Sequence, residues 1–132
     1  MKRKVKLQKV DDETIRKQPA KIVFGFSKLQ PLSYTKADEV SFFIKYLERL
    51  KKLCDLDWNT IRTTQKHGFG TETIFASSLT QAAQNMLPSN IEKLLVLRAT
   101  GNNHAFLGIQ EDNIFQVLFI EYEFGDIYSH GQ

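Results

Sequence analysis

The last third of the chain constrains the fold most, because it contains three strand-like segments separated by short turn signals. The apolar runs 94–100, 105–110 and 114–122 each have the length of a β-strand. Between the last two, the sequence Glu-Asp-Asn at 111–113 is rich in turn formers and predicts a tight hairpin. Strands that follow one another this closely pair antiparallel. The strongly apolar run 114–122 is expected inside the sheet, covered on both faces.

A helical hairpin is predicted before these strands. Residues 37–54 have the most regular helical pattern in the chain, with apolar side chains at three- and four-residue spacing. Residues 57–67 predict a second helix with Trp58 and Ile61 turned inward, and the short break between the helices indicates an α-hairpin. The face of the first helix that we expect to be buried consists of Val40, Phe43, Ile44, Leu47, Leu50 and Cys54.

The other segments give weaker signals. Residues 20–29 alternate as a strand does, with every second apolar side chain on one face, and residues 71–75 indicate another short strand. Residues 76–90 predict either helical turns or an irregular connection. The first ten residues hold five basic side chains and predict an edge strand or a basic arm, and residues 11–18 predict a short helix.

The order of these elements predicts an α+β fold, in which an antiparallel-rich β-sheet carries an α-hairpin packed on one face. A chain of 132 residues fits a single domain, with residues 1–19 as a basic N-terminal arm or extension. No apolar run approaches the ~20 residues of a membrane span, and no apolar segment follows the basic N-terminus as in a signal peptide. We therefore expect a cytoplasmic protein with no membrane partner.

The net charge of +3 hides a gradient along the chain. Residues 1–98 carry all 18 Lys and Arg against 10 acids, which is a net charge of +8. Residues 99–132 carry 5 acids and no Lys or Arg, which is a net charge of −5. The basic part suggests polyanions or acidic partners, whereas the acidic end does not. An unevenly charged solvated surface is the alternative explanation.

Cysteine usage gives little indication of chemistry. Cys54 is the single cysteine, so no disulfide can form within the chain. Its place on the apolar side of the predicted helix favours a small buried hydrophobe over a nucleophile.

No motif for a metal, a cofactor or an activated serine is present. The three histidines are far apart, Gly-Phe-Gly at 68–70 lacks the flanks of a phosphate loop, and no GxSxG occurs. We therefore predict no metal and no cofactor.

The remaining ionisable groups near the C-terminus suit metal-free cleavage of RNA. That reaction needs a base for the 2′-hydroxyl, a cation for the phosphorane and an acid for the leaving oxygen. The candidate catalytic residues are Arg98, His104, Tyr128 and His130, and the candidate substrate-binding residues are Lys66, His67, Asn103 and Tyr122. Each also has a plain structural alternative, such as an ion pair at a strand end for Arg98 or a turn histidine for His104.

Two stretches resemble the RelE/ParE toxin superfamily. FFIKYLERLKKLCDLDWNTIR is similar to that family's helical hairpin, and VLRATGNNHAFLGI, QEDN, IFQVLFIEYEF and GDIYSHG are similar to its core strands and ending. The similarity covers about residues 37–130. It implies a bacterial toxin that cleaves mRNA on the ribosome without a metal, and that is held inactive by a cognate antitoxin.

The resemblance also implies roles for single residues. Arg98 matches the family's strand-end arginine that contacts the scissile phosphate, and Tyr128 matches its C-terminal tyrosine near the base. His104 falls where the family has a basic residue, and His130 stands where some members have a C-terminal histidine. The chain departs from the family after its last long strand, where Glu121, Tyr122 and Glu123 replace basic residues and would repel mRNA phosphates.

Two alternatives to the toxin remain open. One is a non-catalytic RelE-like module that binds a protein, which the acidic C-terminal third supports. The other is a nucleic-acid-binding module that uses the basic residues of 1–10. Patterns in one sequence do not distinguish these possibilities, nor do they predict an oligomeric state.

Overall fold

The computed structural model describes residues 20–63, 71–99 and 104–129. The predicted helix 11–18 and the basic arm 1–19 lie outside this part of the chain. The strands are β1 (Val23–Gly25), β2 (Glu72–Phe75), β3 (Lys93–Arg98), β4 (Ala105–Glu111) and β5 (Ile114–Ile120). The α-helices are α1 (Val40–Leu53), α2 (Trp58–Thr63) and α3 (Gln81–Met86), and two single 3₁₀ turns lie at Pro31–Ser33 and Ala76–Ser78.

The five strands form one sheet in the order β1-β5-β4-β3-β2. Strands β2 to β5 pair antiparallel with their neighbours, whereas β1 pairs parallel with β5. The predicted α+β class and the three consecutive antiparallel strands are confirmed. The turn between β4 and β5 contains Asp112 with a φ of 57°, a left-handed conformation that aspartate tolerates well. Strand β5 lies inside the sheet, as expected from its apolar run.

The prediction for the buried face of α1 was wrong. The buried side chains are Phe42, Tyr46, Leu50 and Leu53, whereas Val40, Ile44, Leu47 and Cys54 are exposed. The helix contains two apolar stripes, and the stripe with two aromatic rings is buried because rings remove more apolar surface from water. Helix α1 is also shorter than predicted, since Cys54 is its C-cap.

The α-hairpin covers one face of the sheet. The buried residues of α1 pack with Trp58 and Ile61 of α2 against Phe106 and Phe115. The inward positions predicted for Trp58 and Ile61 are therefore confirmed. The indole Nε1 of Trp58 donates a hydrogen bond to the carbonyl of Asn113 at 2.9 Å, which ties α2 to the β4–β5 turn.

The opposite face of the sheet is covered as well, contrary to the expectation that helices lie on one side only. Leu79, Ala83 of α3 and the C-terminal residues Ile127 and Tyr128 pack there against the sheet. The side chain of Thr80 accepts a hydrogen bond from the N–H of Ala83 at 3.3 Å and so caps α3. Both faces of the sheet are therefore dry, and two apolar clusters share the central strands.

A β-bulge interrupts the pairing of β4 with β5 beside Gly108. Leu118 is the extra residue, because Leu107 pairs with Phe119 while Gly108 pairs with Val117. The Leu118 carbonyl accepts a hydrogen bond from the N–H of Gln30 at 2.8 Å. The bulge lets two successive residues, Leu118 and Phe119, enter the same apolar cluster.

The strand predicted at 20–29 is shorter than expected. Only Val23–Gly25 pair as a strand, with Ile22 buried and Phe26 exposed. Backbone hydrogen bonds from Ile22 to Leu56 and from Trp58 to Ala20 hold the preceding residues against the hairpin instead. The predicted alternation of buried side chains therefore fails after Phe24.

Candidate functional site

The predicted arginine is buried at the end of β3. Residues alternate between the two faces of a strand, so Arg98 shares its face with Leu94 and Val96 and points away from the α-hairpin. It is 3% exposed. Its Nη2 atom lies 2.9 Å from Oε2 of Glu72, and its Nη1 atom donates to the Tyr128 hydroxyl at 3.4 Å. The structure thus brings Arg98 and Tyr128 together, as predicted, and adds Glu72.

Tyr128 is held by the backbone of the C-terminal segment. It forms an isolated antiparallel bridge with Leu79, and the N–H of Ser129 donates to the carbonyl of Ser78 at 3.2 Å. Burial raises the pKa of Tyr128 to about 12, although the nearby Arg98 charge lowers it. The phenol is therefore protonated at neutral pH and can act as a proton donor.

Glu121 is a fully buried carboxyl directly after β5. Its Oε1 accepts the N–H of Ala105 at 3.1 Å, and its Oε2 accepts the N–H of Gly125 at 2.9 Å. Ala105 is the residue of β4 that pairs with Arg98. Burial raises the pKa of Glu121 to about 7, against the lowering effect of the two backbone hydrogen bonds. Near neutral pH this carboxyl can therefore give or take a proton.

Four side chains thus converge at one end of the sheet, and we refer to them as the Arg98 cluster. Its members are Arg98, Glu72, Glu121 and Tyr128. The negative charge of Glu121 is one cause of the raised pKa of Tyr128, so these two groups interact electrostatically. A cation, a neutral phenol and a carboxyl that titrates near 7 are groups suited to proton transfer beside a phosphate.

Access to the Arg98 cluster is restricted. Arg98, Tyr128 and Glu121 are each at most 3% exposed, whereas the Glu72 side chain is 27% exposed. Glu72 therefore forms the outer edge of the cluster. A phosphate can reach the guanidinium only if the Glu72 carboxylate moves aside.

His104 lies beside the Arg98 cluster and not within it. Its ring stands edge-to-face against Phe42 at 5.7 Å between centroids, on the α-hairpin side, and against Phe124 at 6.5 Å. Its charge lowers the pKa values of both Glu121 and Asp126. His104 therefore influences the site through its charge rather than through a hydrogen bond to Arg98 or Tyr128.

Asp126 is a second unusual carboxyl near His104. Its Oδ2 accepts the N–H of Glu123 at 3.1 Å, while its buried Oδ1 has no hydrogen-bond partner among the residues that the structure describes. Burial raises its pKa, and the charge of Glu123 adds to the rise. Asp126 and Glu121 therefore both favour their protonated forms more than exposed carboxyls do.

The predicted substrate-binding role of Tyr122 meets a competing structural one. Its hydroxyl donates to Oδ1 of Asp38 at 2.9 Å and accepts the N–H of Glu39 at 3.1 Å, just before α1 begins. Its ring stacks on Phe43 with an interplanar angle of 6°. Both ends of this side chain are therefore engaged in anchoring the start of α1.

Four predicted site residues lie outside the described part of the chain: Lys66, His67, Asn103 and His130. Sequence reasoning missed Glu72 and Asp126. The signal for Glu72 was present in the alternation of residues 72–75, which puts Glu72 on the same face as the apolar Ile74. An acid at an inward position of a strand requires a buried partner, and Arg98 is that partner.

Searches over the described ranges add two findings. No described helix is long and apolar enough to cross a membrane. Within 20–63, 71–99 and 104–129, no group of three or more His, Cys, Asp or Glu side chains could hold a metal ion.

Comparison of the chain with protein-family models, with curated proteins and with solved structures found no match. The functional argument therefore rests on the geometry of the Arg98 cluster and on the sequence patterns.

Proposed function

We propose that this chain is the toxin of a bacterial type II toxin–antitoxin pair, a cytoplasmic endoribonuclease that cleaves mRNA on the ribosome. The observation that carries the proposal is the convergence of Arg98, Tyr128 and Glu121 on one face of the sheet. The resemblance of residues 37–130 to RelE-like toxins supports it independently. The chemistry that we propose uses side chains alone.

In the proposed reaction, Glu121 accepts the proton of a ribose 2′-hydroxyl, whose oxygen attacks the adjacent phosphorus. A carboxyl with a pKa of about 7 suits this step, because a base works best when its pKa is near the working pH. Arg98 balances the charge that develops on the phosphorane oxygens. Tyr128 gives its proton to the leaving 5′-oxygen, so the products are a 2′,3′-cyclic phosphate and a free 5′-hydroxyl.

Glu121 gives a physical meaning to the acidic residues that depart from the family pattern. A permanently ionised carboxylate at this place would repel the phosphate. Burial instead keeps Glu121 largely protonated below a pH of about 7. The departure therefore changes the identity of the proposed base without excluding one.

The test is mRNA cleavage by the purified full chain in the presence of ribosomes. We expect Tyr128→Phe to lower the cleavage rate at least about 100-fold, the size of one general acid contribution. Phenylalanine keeps the buried ring, so the fold should survive, which circular dichroism can check. Tyr34→Phe is the matched control, because Tyr34 is exposed and lies outside the Arg98 cluster.

Two results would refute the enzyme proposal. One is intact mRNA after incubation with the folded wild-type chain and ribosomes. The other is a Tyr128→Phe variant that cleaves as fast as the wild type. Cleavage that leaves ends other than a 2′,3′-cyclic phosphate would refute the roles assigned to Glu121 and Tyr128.

A non-catalytic protein-binding module is the second candidate function, and the ion pair between Arg98 and Glu72 favours it. A buried arginine that already has a carboxylate partner can serve the fold alone. This candidate predicts a protein partner that stays bound at high salt, with no affinity for RNA. Co-expression with the product of the neighbouring reading frame would distinguish the two, because an antitoxin relieves toxicity whereas a mere partner has none to relieve.

A further inference from the structure

The outward face of α1 carries a row of exposed aliphatic side chains. Val40, Ile44 and Leu47 are 73%, 53% and 63% exposed. Their spacing of four and three residues puts them on one line along the helix, and we call this line the α1 stripe. It faces away from the core that Phe42 and Tyr46 enter.

The core does not account for the α1 stripe. The buried side of α1 already has four large side chains, so the helix is anchored without the exposed ones. A contiguous exposed apolar row typically marks an interaction surface. The spacing of four and three residues is also that of the seam between two paired helices. A helix is therefore the partner element that fits the α1 stripe.

Charge decides which helix fits. Helix α1 carries four cations, Lys45, Arg49, Lys51 and Lys52, against the single acid Glu48. Three of these, Lys45, Lys51 and Lys52, are exposed along or beside the α1 stripe. A second copy of this chain would bring lysines against lysines, which disfavours self-pairing. A helix with an apolar row and acidic flanks is complementary in both respects.

We propose that the α1 stripe docks an acidic amphipathic helix of a partner protein. The α1 stripe and the Arg98 cluster lie on opposite sides of the sheet, since α1 packs on one face and Arg98 points to the other. Docking on the outward face of α1 therefore leaves the Arg98 cluster uncovered. This inference does not depend on the proposed nuclease activity.

The probe is a labelled synthetic helical peptide of about 14 residues, the length of α1, with leucines spaced four and three apart and glutamates on both flanks. A second peptide of the same length has lysines in place of the glutamates. Binding to the full chain is followed by fluorescence anisotropy. We expect the acidic peptide to bind at least about tenfold more tightly than the basic one, and to weaken as salt is added.

The variant that tests the location is Leu47→Glu, which puts a charge in the middle of the α1 stripe without disturbing the core. We expect it to weaken binding of the acidic peptide at least about tenfold. Met86→Glu is the matched control, because Met86 is an exposed apolar residue of α3, on the other side of the sheet, and this variant should bind as the wild type does.

Equal binding of the two peptides, no binding of either, or full binding by folded Leu47→Glu each overturns the proposal. Self-association of the chain that Leu47→Glu abolishes overturns it as well, because it assigns the α1 stripe to a second copy. The assay contains no RNA, so its failure leaves the nuclease proposal standing, and loss of nuclease activity leaves the docking result standing.

Discussion

Glu121 is the residue at which burial and ionisation conflict most directly. Its carboxyl is inaccessible to water, and two backbone N–H groups donate to its oxygens. Burial favours the neutral acid, whereas the N–H donors favour the anion, and burial has the larger effect on the pKa. The same residue therefore links the stability of the fold to pH and, in our proposal, acts as the base.

Glu121 should make the fold less stable as pH rises. Its pKa is about 7 in the folded chain and 4.5 when unperturbed, so between these values the unfolded chain has released a proton that the folded chain retains. The stabilisation is complete below pH 4.5, falls as pH rises through about 7, and then stays constant. In Glu121→Gln, the loss of unfolding free energy from pH 5 to pH 8 should shrink by about 3 kcal/mol at most.

Urea denaturation at the two pH values measures this difference. The amide of glutamine offers only one acceptor oxygen, so Glu121→Gln is less stable than the wild type at pH 5, and the comparison concerns the slope with pH alone. Glu92→Gln, at an exposed position, should keep the wild-type slope. Equal slopes for wild type and Glu121→Gln would show that Glu121 titrates normally in the fold. Asp126 contributes a smaller slope of the same sign, because its pKa is also raised.

At the scale of elements, the β4–β5 pair depends on a close approach at Gly108. A Cβ atom added there would lie 1.9 Å from the backbone oxygen of Gln116 and 2.7 Å from Cε1 of Phe115. The backbone cannot yield as a flexible side chain can. The bulge at Leu118 next to this position therefore requires glycine on the partner strand.

Gly108→Ala should lower the free energy of unfolding by about 3 kcal/mol or more, because the strands must separate to admit the methyl group. Gly25→Ala is a matched comparison in β1, where the added Cβ would meet only the end of the flexible Gln116 side chain, at 2.7 Å. We expect that variant to change stability by less than about 1 kcal/mol. Chemical denaturation of both variants checks this, and similar losses would contradict the tight approach at Gly108.

The same scale explains why α1 was assigned the wrong buried face. Periodicity marks an apolar stripe but does not choose between two stripes on one helix. The choice was made by Phe42 and Tyr46, whose rings pack against residues far away in the chain, as in the edge-to-face contact of Tyr46 with Phe106 at 5.1 Å. Cys54 became exposed as a consequence of the same rotation.

At the scale of the whole molecule, two apolar clusters share one sheet. Phe106 and Leu107 are neighbours in β4 but belong to clusters on opposite faces. Because one strand contributes to both clusters, neither can dissolve while the other persists. The sheet therefore couples the α-hairpin to α3 and the C-terminal segment, where Tyr128 completes the Arg98 cluster.

This coupling predicts that damage on one face is reported on the other. Leu107→Ala, on the face of α3, should lower the unfolding free energy by about 2–5 kcal/mol. The only tryptophan, Trp58, lies on the α-hairpin face, and its fluorescence should follow the same shifted transition as circular dichroism. Leu47→Ala, at an exposed position, should shift the transition by less than about 0.5 kcal/mol. A Trp58 transition that Leu107→Ala leaves unmoved would mean that the two faces unfold separately.

The sequence by itself determined the terminal strands, the β4–β5 turn and the existence of the α-hairpin, because period, turn residues and helix spacing act between near neighbours in the chain. The nearness of Arg98 to Tyr128 also followed from the strand order and the resemblance. Only the tertiary structure decided which side of α1 is buried, that β1 lies parallel beside β5, and that Glu72 pairs with Arg98. Arg98 is separated by 26 residues from Glu72 and by 30 from Tyr128. Such contacts depend on how the sheet brings distant strand ends together, which no local pattern records.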